Sequence, residues 1–347
     1  MTPWLIFGAK AVGGLACQMG VGPAFTIVER RVAAWIQGRV GPNRVGPLGL
    51  FQPLADLVKF ISKEQIVPAD ADRVLFLLGP LLVFAPPIFG FCVIPYGNMI
   101  GDEHLQIANL PIGVLFVMSV ISTGVYGMML GGWASNNKYA LLGSLRASAQ
   151  IISYELSLGL AILIAVMMSS SLDLNVIVEQ QAGKGFGAWN VFGGGHLSQL
   201  PSGLLGFGLM FICALAENNR LPFDLSECEA ELVGGYHTEY SSMSLGVFML
   251  SEYLSMILMC GLMTSIYLGG WSFPGITDPS DHSILAGLIS WAVFMTKILS
   301  MMFVYVWIRW TLPRFKYNQL MDLGWKAFLP ASLVNIALLA VIGVMGV

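Results

Sequence analysis

Long apolar runs alternate with short polar segments along almost the whole chain. A membrane helix needs about 20 predominantly apolar residues, and eight runs approach or exceed that length. They cover residues 5–28, 74–95, 110–133, 147–169, 200–216, 242–269, 284–308 and 326–346. This pattern predicts an all-α polytopic membrane protein, with residues 1–347 forming a single integral membrane domain.

The first polar segment contains an additional helical period. After the turn formers of residues 41–47, the polar residues Gln52, Asp56, Lys59 and Lys63 recur on one face, and apolar residues cover the other face. Such a helix is typical of a segment that lies in the membrane interface. Two interpretations remain open at this point: a plain surface anchor, or a lip over an opening through which an apolar substrate enters the chain.

Composition and charge support the membrane assignment and give it an orientation. The chain is 56% hydrophobic and 11% charged, whereas about a quarter of residues are charged in soluble domains. Nearly all Lys and Arg residues outside the apolar runs lie in the first, third, fifth and seventh loops, and Lys184 alone lies in the remaining loops and tails. The positive-inside rule then predicts that the basic loops face the cytoplasm and that both termini face outward. We expect no cleavable signal peptide, because no basic flank precedes the first run.

The metal-binding residue types are scattered. The five cysteines and four histidines show no CxxC or similar spacing. We therefore expect no metal, haem or iron-sulfur centre in this chain, so any electrons must be brought by a partner. No basic patch suggests nucleic-acid binding.

Three ionisable residues fall deep inside the apolar runs. At 1.5 Å per residue, Glu155 lies about 12 Å and Glu252 about 15 Å from the basic end, and Lys297 reaches a similar depth. A charge at such depth is costly, so these groups should be paired, neutral or wetted. Glu252 and Lys297 form the obvious candidate pair, as a structural ion bridge or as part of a proton or ion path.

Between the fifth and sixth runs, residues 217–241 gather an unusual number of carboxylates around Arg220. The acidic residues are Glu217, Asp224, Glu227, Glu229, Glu231 and Glu239. Like charges crowded beside a low dielectric raise some pKa values and couple their titrations. The segment is either a solvated acidic loop or a group of carboxylates that exchanges protons when a nearby charge changes.

Three ordered motifs resemble one family. They are the first loop from Glu29-Arg30-Arg31 through Gly41-Pro42-Asn43 to Gln52-Pro53-Leu54-Ala55-Asp56, the acidic stretch from Glu217-Asn218-Asn219-Arg220 to Glu239-Tyr240, and Pro313-Arg314-Phe315-Lys316-Tyr317 with Gln319-Leu320-Met321. With Ser153-Tyr154-Glu155, the chain resembles over its whole length the quinone-site membrane subunit of respiratory complex I, the NADH-quinone oxidoreductase.

The resemblance implies a proton-translocating NADH:quinone oxidoreductase in a bacterial inner membrane, in which this chain carries no redox centre and has no independent activity. Its partners would be peripheral-arm subunits carrying FMN and iron-sulfur clusters, small and antiporter-like membrane subunits, the lipid bilayer, and quinone as substrate. The residues that would line the quinone entrance and chamber are Glu29, Arg30, Arg39, Phe51, Leu54, Asp56 and Phe223. Those that would couple quinone chemistry to protons are Glu155, Glu217, Asp224, Glu227, Glu229, Glu231, Glu252 and Lys297.

Other functions remain as alternatives. A secondary cation/proton transporter also places ionisable groups at mid-membrane, but such proteins usually contain internal repeats, which we do not find here. A passive anchor gives no reason for the buried carboxylates. The equivalent subunit of a related hydrogenase or non-NADH dehydrogenase complex shares the motifs. The glycine-rich segment 183–195 is expected to be a flexible outer loop that touches a neighbouring subunit.

Overall fold

α-Helices dominate the described part of the chain, which comprises residues 3–101, 103–225 and 233–345 of a computed structural model. In chain order the helices are α1 (Pro3–Ile36), α2 (Gln52–Ser62), α3 (Arg73–Phe91), α4 (Gly113–Ala134), α5 (Lys138–Ser169), α6 (Leu174–Gln181), α7 (Leu200–Glu217), α8 (Ser242–Tyr267), α9 (Ile284–Thr311), α10 (Tyr317–Asp322) and α11 (Leu329–Met345). A π-helical segment, Leu323–Phe328, joins α10 to α11. Short 3₁₀ turns occupy Pro47–Gly49, Phe186–Ala188, Asn190–Phe192, Leu197–Gln199 and Gly235–His237.

Within the described residues, eight helical segments are long and apolar enough to cross a membrane. They are Lys10–Ile36, Arg73–Phe91, Gly113–Ala134, Lys138–Ser169, Leu197–Glu217, Ser242–Tyr267, Ile284–Thr311 and Tyr317–Val344. The predicted fold class, an all-α polytopic membrane protein, is confirmed. The amphipathic helix expected after residue 50 is also present as α2.

Several helices extend beyond the apolar runs that predicted them. α1 continues past Val28 to Ile36, so Glu29 and Arg30 are helical instead of belonging to the first loop. α5 begins at Lys138, where the side chain of Asn137 accepts a hydrogen bond from the amide of Tyr139 at 2.9 Å. Helical hydrogen bonds join backbone groups, so a helix continues through charged residues that end an apolar run.

The packing places α8 in the middle of the bundle, where nearly every residue from Leu254 to Tyr267 is buried. Around it lie α1, α3, α7 and α9. α3 and α4 pack closely through glycines: a Cβ added to Gly79 would lie 2.9 Å from the Cα of Gly131. Small residues of this kind let membrane helices approach closely.

The two ends of the bundle differ. The basic end carries α2 and the loops at 37–72, 135–137, 218–225, 233–241 and 312–316. The opposite end is covered by a cap consisting of α6, the 3₁₀ turns of 186–192, the loop 268–283 and an antiparallel hairpin of β1 (Gly97–Ile100) and β2 (Glu103–Leu105). The hairpin pairs Gly97 with Leu105 and Ile100 with Glu103. Lys10 of α1 reaches Glu103 there at 2.7 Å.

Two residues of the glycine-rich segment, Trp189 and Asn190, contact the end of α8 and the loop that follows it. The Trp189 ring lies in edge contact with Phe186, with centroids 5.1 Å apart, and with Phe273 at 6.3 Å. Asn190 donates to the carbonyl of Ile266 at 2.7 Å. These side-chain contacts fix a segment whose glycines alone would leave it free.

Candidate functional site: a buried charge network at the basic end

Glu29, near the basic end of α1, is the centre of a buried charge network. It is 5% exposed. Its Oε1 lies 3.0 Å from Nη1 of Arg220 and also accepts from Arg309, while its Oε2 accepts a hydrogen bond from the Tyr253 hydroxyl at 2.5 Å. One carboxylate thereby joins α1 to α8, α9 and the loop after α7.

Arg220 connects this carboxylate to a second one. Its Nη2 lies 3.7 Å from Oε2 of Glu252, and its guanidinium lies 4.6 Å from the centroid of the Tyr253 ring. Burial alone would lower the pKa of Arg220, but Glu29, Tyr253 and Glu252 outweigh it, so the pKa lies above its usual value. Two guanidiniums and two carboxylates balance one another, as a buried network requires.

The predicted pair of Glu252 with Lys297 is wrong. Glu252 lies beside Arg220, whereas Nζ of Lys297 donates to the carbonyls of Leu268, Gly270 and Ser272 at 2.6, 2.9 and 2.7 Å. Depth along two helices did not identify the partner, because the extended side chain of Lys297 reaches the carbonyls that follow α8. Lys297 therefore belongs to the opposite end of the bundle.

A more exposed ion pair joins α1 to α2. Nη2 of Arg30 lies 2.7 Å from Oδ2 of Asp56, whose Oδ1 is 3.7 Å from Nζ of Lys59 and 3.3 Å from the amide of Gln52. The polar face predicted for α2 thus converges on Asp56. The pair of Arg30 with Asp56 also holds α2 beside the part of α1 that belongs to the charge network.

α2 exposes its apolar face and is attached to α8 by its C-terminal end. No residue of α2 is buried; Phe51 is 53% and Leu54 58% exposed. The hydroxyl of Ser242 donates to the carbonyls of Phe60 and Lys63 at 2.9 and 2.7 Å, which holds α2 to the start of α8. Arg39 lies in the exposed turn after α1, where it donates to Gln37 at 2.7 Å.

The loop after α7 is held by contacts with α5 and with Arg314. Gln150 of α5 donates to the carbonyls of Ala216 and Phe223 at 2.9 and 2.7 Å. Phe223 is 3% exposed and contacts Tyr154, with ring centroids 5.4 Å apart. Beside it, Asp224 is 5% exposed and pairs with Nη2 of Arg314 at 3.1 Å. The structure thus places Phe223 in packing and Asp224 in a buried ion pair.

Glu217 and Glu155 lie near the boundary between the loop and the membrane helices. Glu217 borders a cavity of about 40 Å³, which is also lined by Asn218, Ser255 and residues of α3 and α4. Within the described part of the chain, Oε2 of Glu217 and both amide atoms of Asn218 have no hydrogen-bond partner. The hydroxyl of Ser122 donates a hydrogen bond to Oε1 of Glu155.

Glu227, Glu229 and Glu231 lie outside the described residues. Among the residues that are described, no group of three or more His, Cys, Asp or Glu side chains has a geometry that could hold a metal ion. Among the described site carboxylates, Glu29 and Asp224 are instead paired with arginines.

Arg220, Tyr253 and Arg309 are site residues that sequence reasoning did not select. Arg220 was visible as the single cation among the carboxylates of residues 217–241. A cation inside such a cluster indicates a pairing role, which is a usable signal. The sequence does not indicate a site role for Tyr253, because a tyrosine in an apolar run is usually interpreted as a packing residue.

Comparison with known proteins gives matches to a family model and to H subunits of NADH-quinone oxidoreductase from several bacteria. Residues 10–340 match the family model described as NADH dehydrogenase. The chain is 46% identical over 315 residues to one such H subunit of Cytophaga hutchinsonii, covering 90% of this chain and 89% of that protein. It is 44% identical over 324 residues to that of Caulobacter vibrioides, covering 92% and 89%. It is 47% identical over 312 residues to one of Geobacter metallireducens, covering 89% and 87%.

Proposed function

Because this chain belongs to the family of NADH-quinone oxidoreductase H subunits, which are multi-pass membrane subunits of complex I, we propose that its basic end forms the membrane part of a quinone chamber. The same end couples quinone reduction to proton movement through its buried carboxylates. The chain itself carries out no redox step. FMN and iron-sulfur clusters in peripheral partner subunits bring the electrons.

The basic end faces the cytoplasm in this proposal, and both termini face outward. The distribution of Lys and Arg supports this orientation. The peripheral subunits then cover the loops at 37–72, 218–241 and 312–316, so that residues exposed in this single chain become walls of a chamber. Small and antiporter-like membrane subunits take up the coupling signal along the bilayer.

A quinone has a polar ring and a long apolar tail, and the entrance fits both parts. The exposed apolar face of α2, with Phe51 and Leu54, suits the tail at the membrane interface. The polar face of α2, where Asp56 contacts Arg30, lies toward the basic end of α1. Arg39 lies in the turn beyond α1, where a guanidinium can attract the ring oxygens.

The charge network supplies the coupling. Quinone reduction takes up two electrons and two protons, so charge changes at the ring. At an effective dielectric of about 20, a unit charge about 10 Å away is worth about 2 kcal/mol to a buried group. Such a change shifts the balance among Glu29, Arg220 and Glu252, and through the loop that contains Arg220 it reaches Glu217 and Glu155. Asp224, Glu227, Glu229 and Glu231 continue the acidic passage.

The observation that carries this proposal is the charge-balanced cluster of Glu29, Arg220, Glu252 and Arg309, which joins three membrane helices to the acidic loop beside α2. A structural ion bridge would need only two of these groups. A connected set that includes both loop residues and membrane-helix residues instead suits the transmission of charge.

Photoaffinity labelling of the intact complex tests the site. A long-tail quinone carrying a photoreactive ring should label segments 29–63 and 218–241, and unlabelled quinone should suppress the labelling. The exposed apolar residues Leu333 and Val334 of α11 provide the control surface. Labelling of α11 equal to that of α2, unaffected by competitor, would contradict a quinone site at the basic end.

A further inference from the structure

Lys297 lies at the opposite end of the bundle and takes no part in the charge network. Its side chain is partly buried between α8, α9 and the cap. In the described part of the chain, none of the ion pairs includes Lys297. A cation in this position needs another source of stabilisation.

The three acceptors around Nζ favour the charged form of Lys297. Nζ of Lys297 donates to the carbonyls of Leu268, Gly270 and Ser272 at 2.6, 2.9 and 2.7 Å. An ammonium has three N–H donors, whereas a neutral amine has two and a lone pair that a carbonyl cannot satisfy. Three accepting carbonyls therefore fit the charged form. The negative end of the α8 dipole points toward the same place.

Neutral side chains bind two further carbonyls at the end of α8. Gln181 donates to the carbonyl of Ser265 at 3.1 Å, and Asn190 donates to that of Ile266 at 2.7 Å. Helix C-termini leave several such carbonyls without intrahelical partners. Lys297, Gln181 and Asn190 thus have similar hydrogen-bonding roles, but only Lys297 brings a charge.

An aromatic group covers the charge. The Trp189 ring centroid lies 4.3 Å from Nζ of Lys297. Trp189 is 8% exposed, and the rings of Phe186 and Phe273 pack against it. A cation–π contact of this kind stabilises a desolvated ammonium. The tryptophan thus covers one side of the ammonium.

Polar side chains extend along α8 from the charge network toward Lys297. Ser255 borders the Glu217 cavity, and Cys260, Thr264 and Ser265 follow further along the same helix. They end one turn before the carbonyls that hold Lys297. A proton that left the buried carboxylates along this helix would meet a fixed positive charge.

We propose that Lys297, held by the carbonyls that follow α8, is an electrostatic seal that prevents protons and other cations from crossing this chain. Fixed positive charges exclude cations from other membrane pores in the same way. At an effective dielectric of about 20, a unit charge about 10 Å from the path changes the occupancy of a passing cation by roughly tenfold. The seal does not depend on quinone chemistry.

The test measures passive leak through the intact complex in liposomes, without NADH or quinone. A pH gradient is imposed, and an internal dye follows its decay; a chloride probe follows anion leak in parallel. Lys297→Met keeps the length of the side chain and removes the charge, Lys297→Arg keeps the charge, and Asn190→Ala removes a neutral donor from the same helix end. Native-gel migration verifies assembly of each variant.

We expect proton leak to rise roughly tenfold in Lys297→Met, with chloride leak unchanged, and to stay near wild type in Lys297→Arg and Asn190→Ala. Wild-type proton leak in Lys297→Met overturns the seal. Equal leak of protons and chloride, or equal leak in Asn190→Ala, also overturns it, because packing and not charge then closes this end. If Lys297→Met fails to assemble, Lys297→Gln replaces it. Failure of both neutral variants alongside assembly of Lys297→Arg assigns a structural role and overturns the proposal.

Discussion

Replacing Arg220 with methionine should damage the charge network more than any other single change in it. Arg220 lies 3.0 Å from Glu29 and 3.7 Å from Glu252, and the three side chains are 5%, 6% and 19% exposed. At an effective dielectric of about 20, these attractions amount to about 5 kcal/mol each before desolvation. Breaking a buried ion pair by removing one partner costs about 3 to 5 kcal/mol, so we expect that loss in Arg220→Met.

Arg220→Lys keeps the charge but loses the planar fork that reaches both carboxylates. We expect an intermediate effect, because a single ammonium can hold Glu29 or Glu252 but not both in the same geometry. Arg314→Met removes an arginine that is 34% exposed and is the matched control for a less buried pair. Its effect should be smaller than that of either Arg220 variant.

The assay is the half-life of quinone reductase activity of the purified complex at raised temperature, measured with its turnover. A half-life suits an assembly that does not unfold reversibly. Adding Glu252→Gln to Arg220→Met should restore part of the loss, because the second change neutralises a carboxylate whose guanidinium is gone. A wild-type half-life and turnover in Arg220→Met, or a double variant as weak as the summed singles, would show that Arg220 does not stabilise the chain through these carboxylates.

Three further predictions follow from the same contacts. Asp56→Asn removes the partner of Arg30 and should raise the KM for a long-tail quinone about fivefold, since an exposed pair is worth about 1 kcal/mol. The KM for a tail-less quinone should stay unchanged. Equal changes in the two KM values would argue against an entrance at α2. Glu29→Gln leaves two guanidiniums without their shared carboxylate and should lower turnover at least tenfold, a loss that Arg309→Gln in the same chain should partly reverse. Arg314→Gln should shorten the thermal half-life modestly while NADH-dependent turnover stays above half of wild type, and complete loss of assembly would show that the Asp224 pair is structural.

The sequence predicted much of the fold because bilayer thickness requires long apolar runs. It located the ends of helices less well. Glu29 was expected in a loop because the apolar run stops at Val28, yet the helix continues and presents Glu29 to α8 and α9. Hydropathy shows where a chain leaves the apolar region, and backbone hydrogen bonds determine where the helix ends.

The sequence also predicted only part of the candidate site. Carboxylates are visible in a sequence, so Glu217, Asp224 and Glu252 could be selected. Their partners could not be predicted in the same way. Depth along the helices predicts a pair of Glu252 with Lys297, but Lys297 is held by backbone carbonyls. Carbonyl acceptors are present at every residue and leave no mark in the sequence, so only the fold shows which of them converge.

Proton translocation by a Glu217→Gln complex tests whether quinone reduction is coupled to protons through this chain. Protons moved per NADH oxidised are measured in proteoliposomes, with Ser255→Ala, which changes the same cavity without removing the carboxylate, as the control. We expect Glu217→Gln to lower this ratio and Ser255→Ala to retain it, because the buried carboxylate carries the coupling. A wild-type ratio in Glu217→Gln would contradict a coupling path through the basic end of this chain.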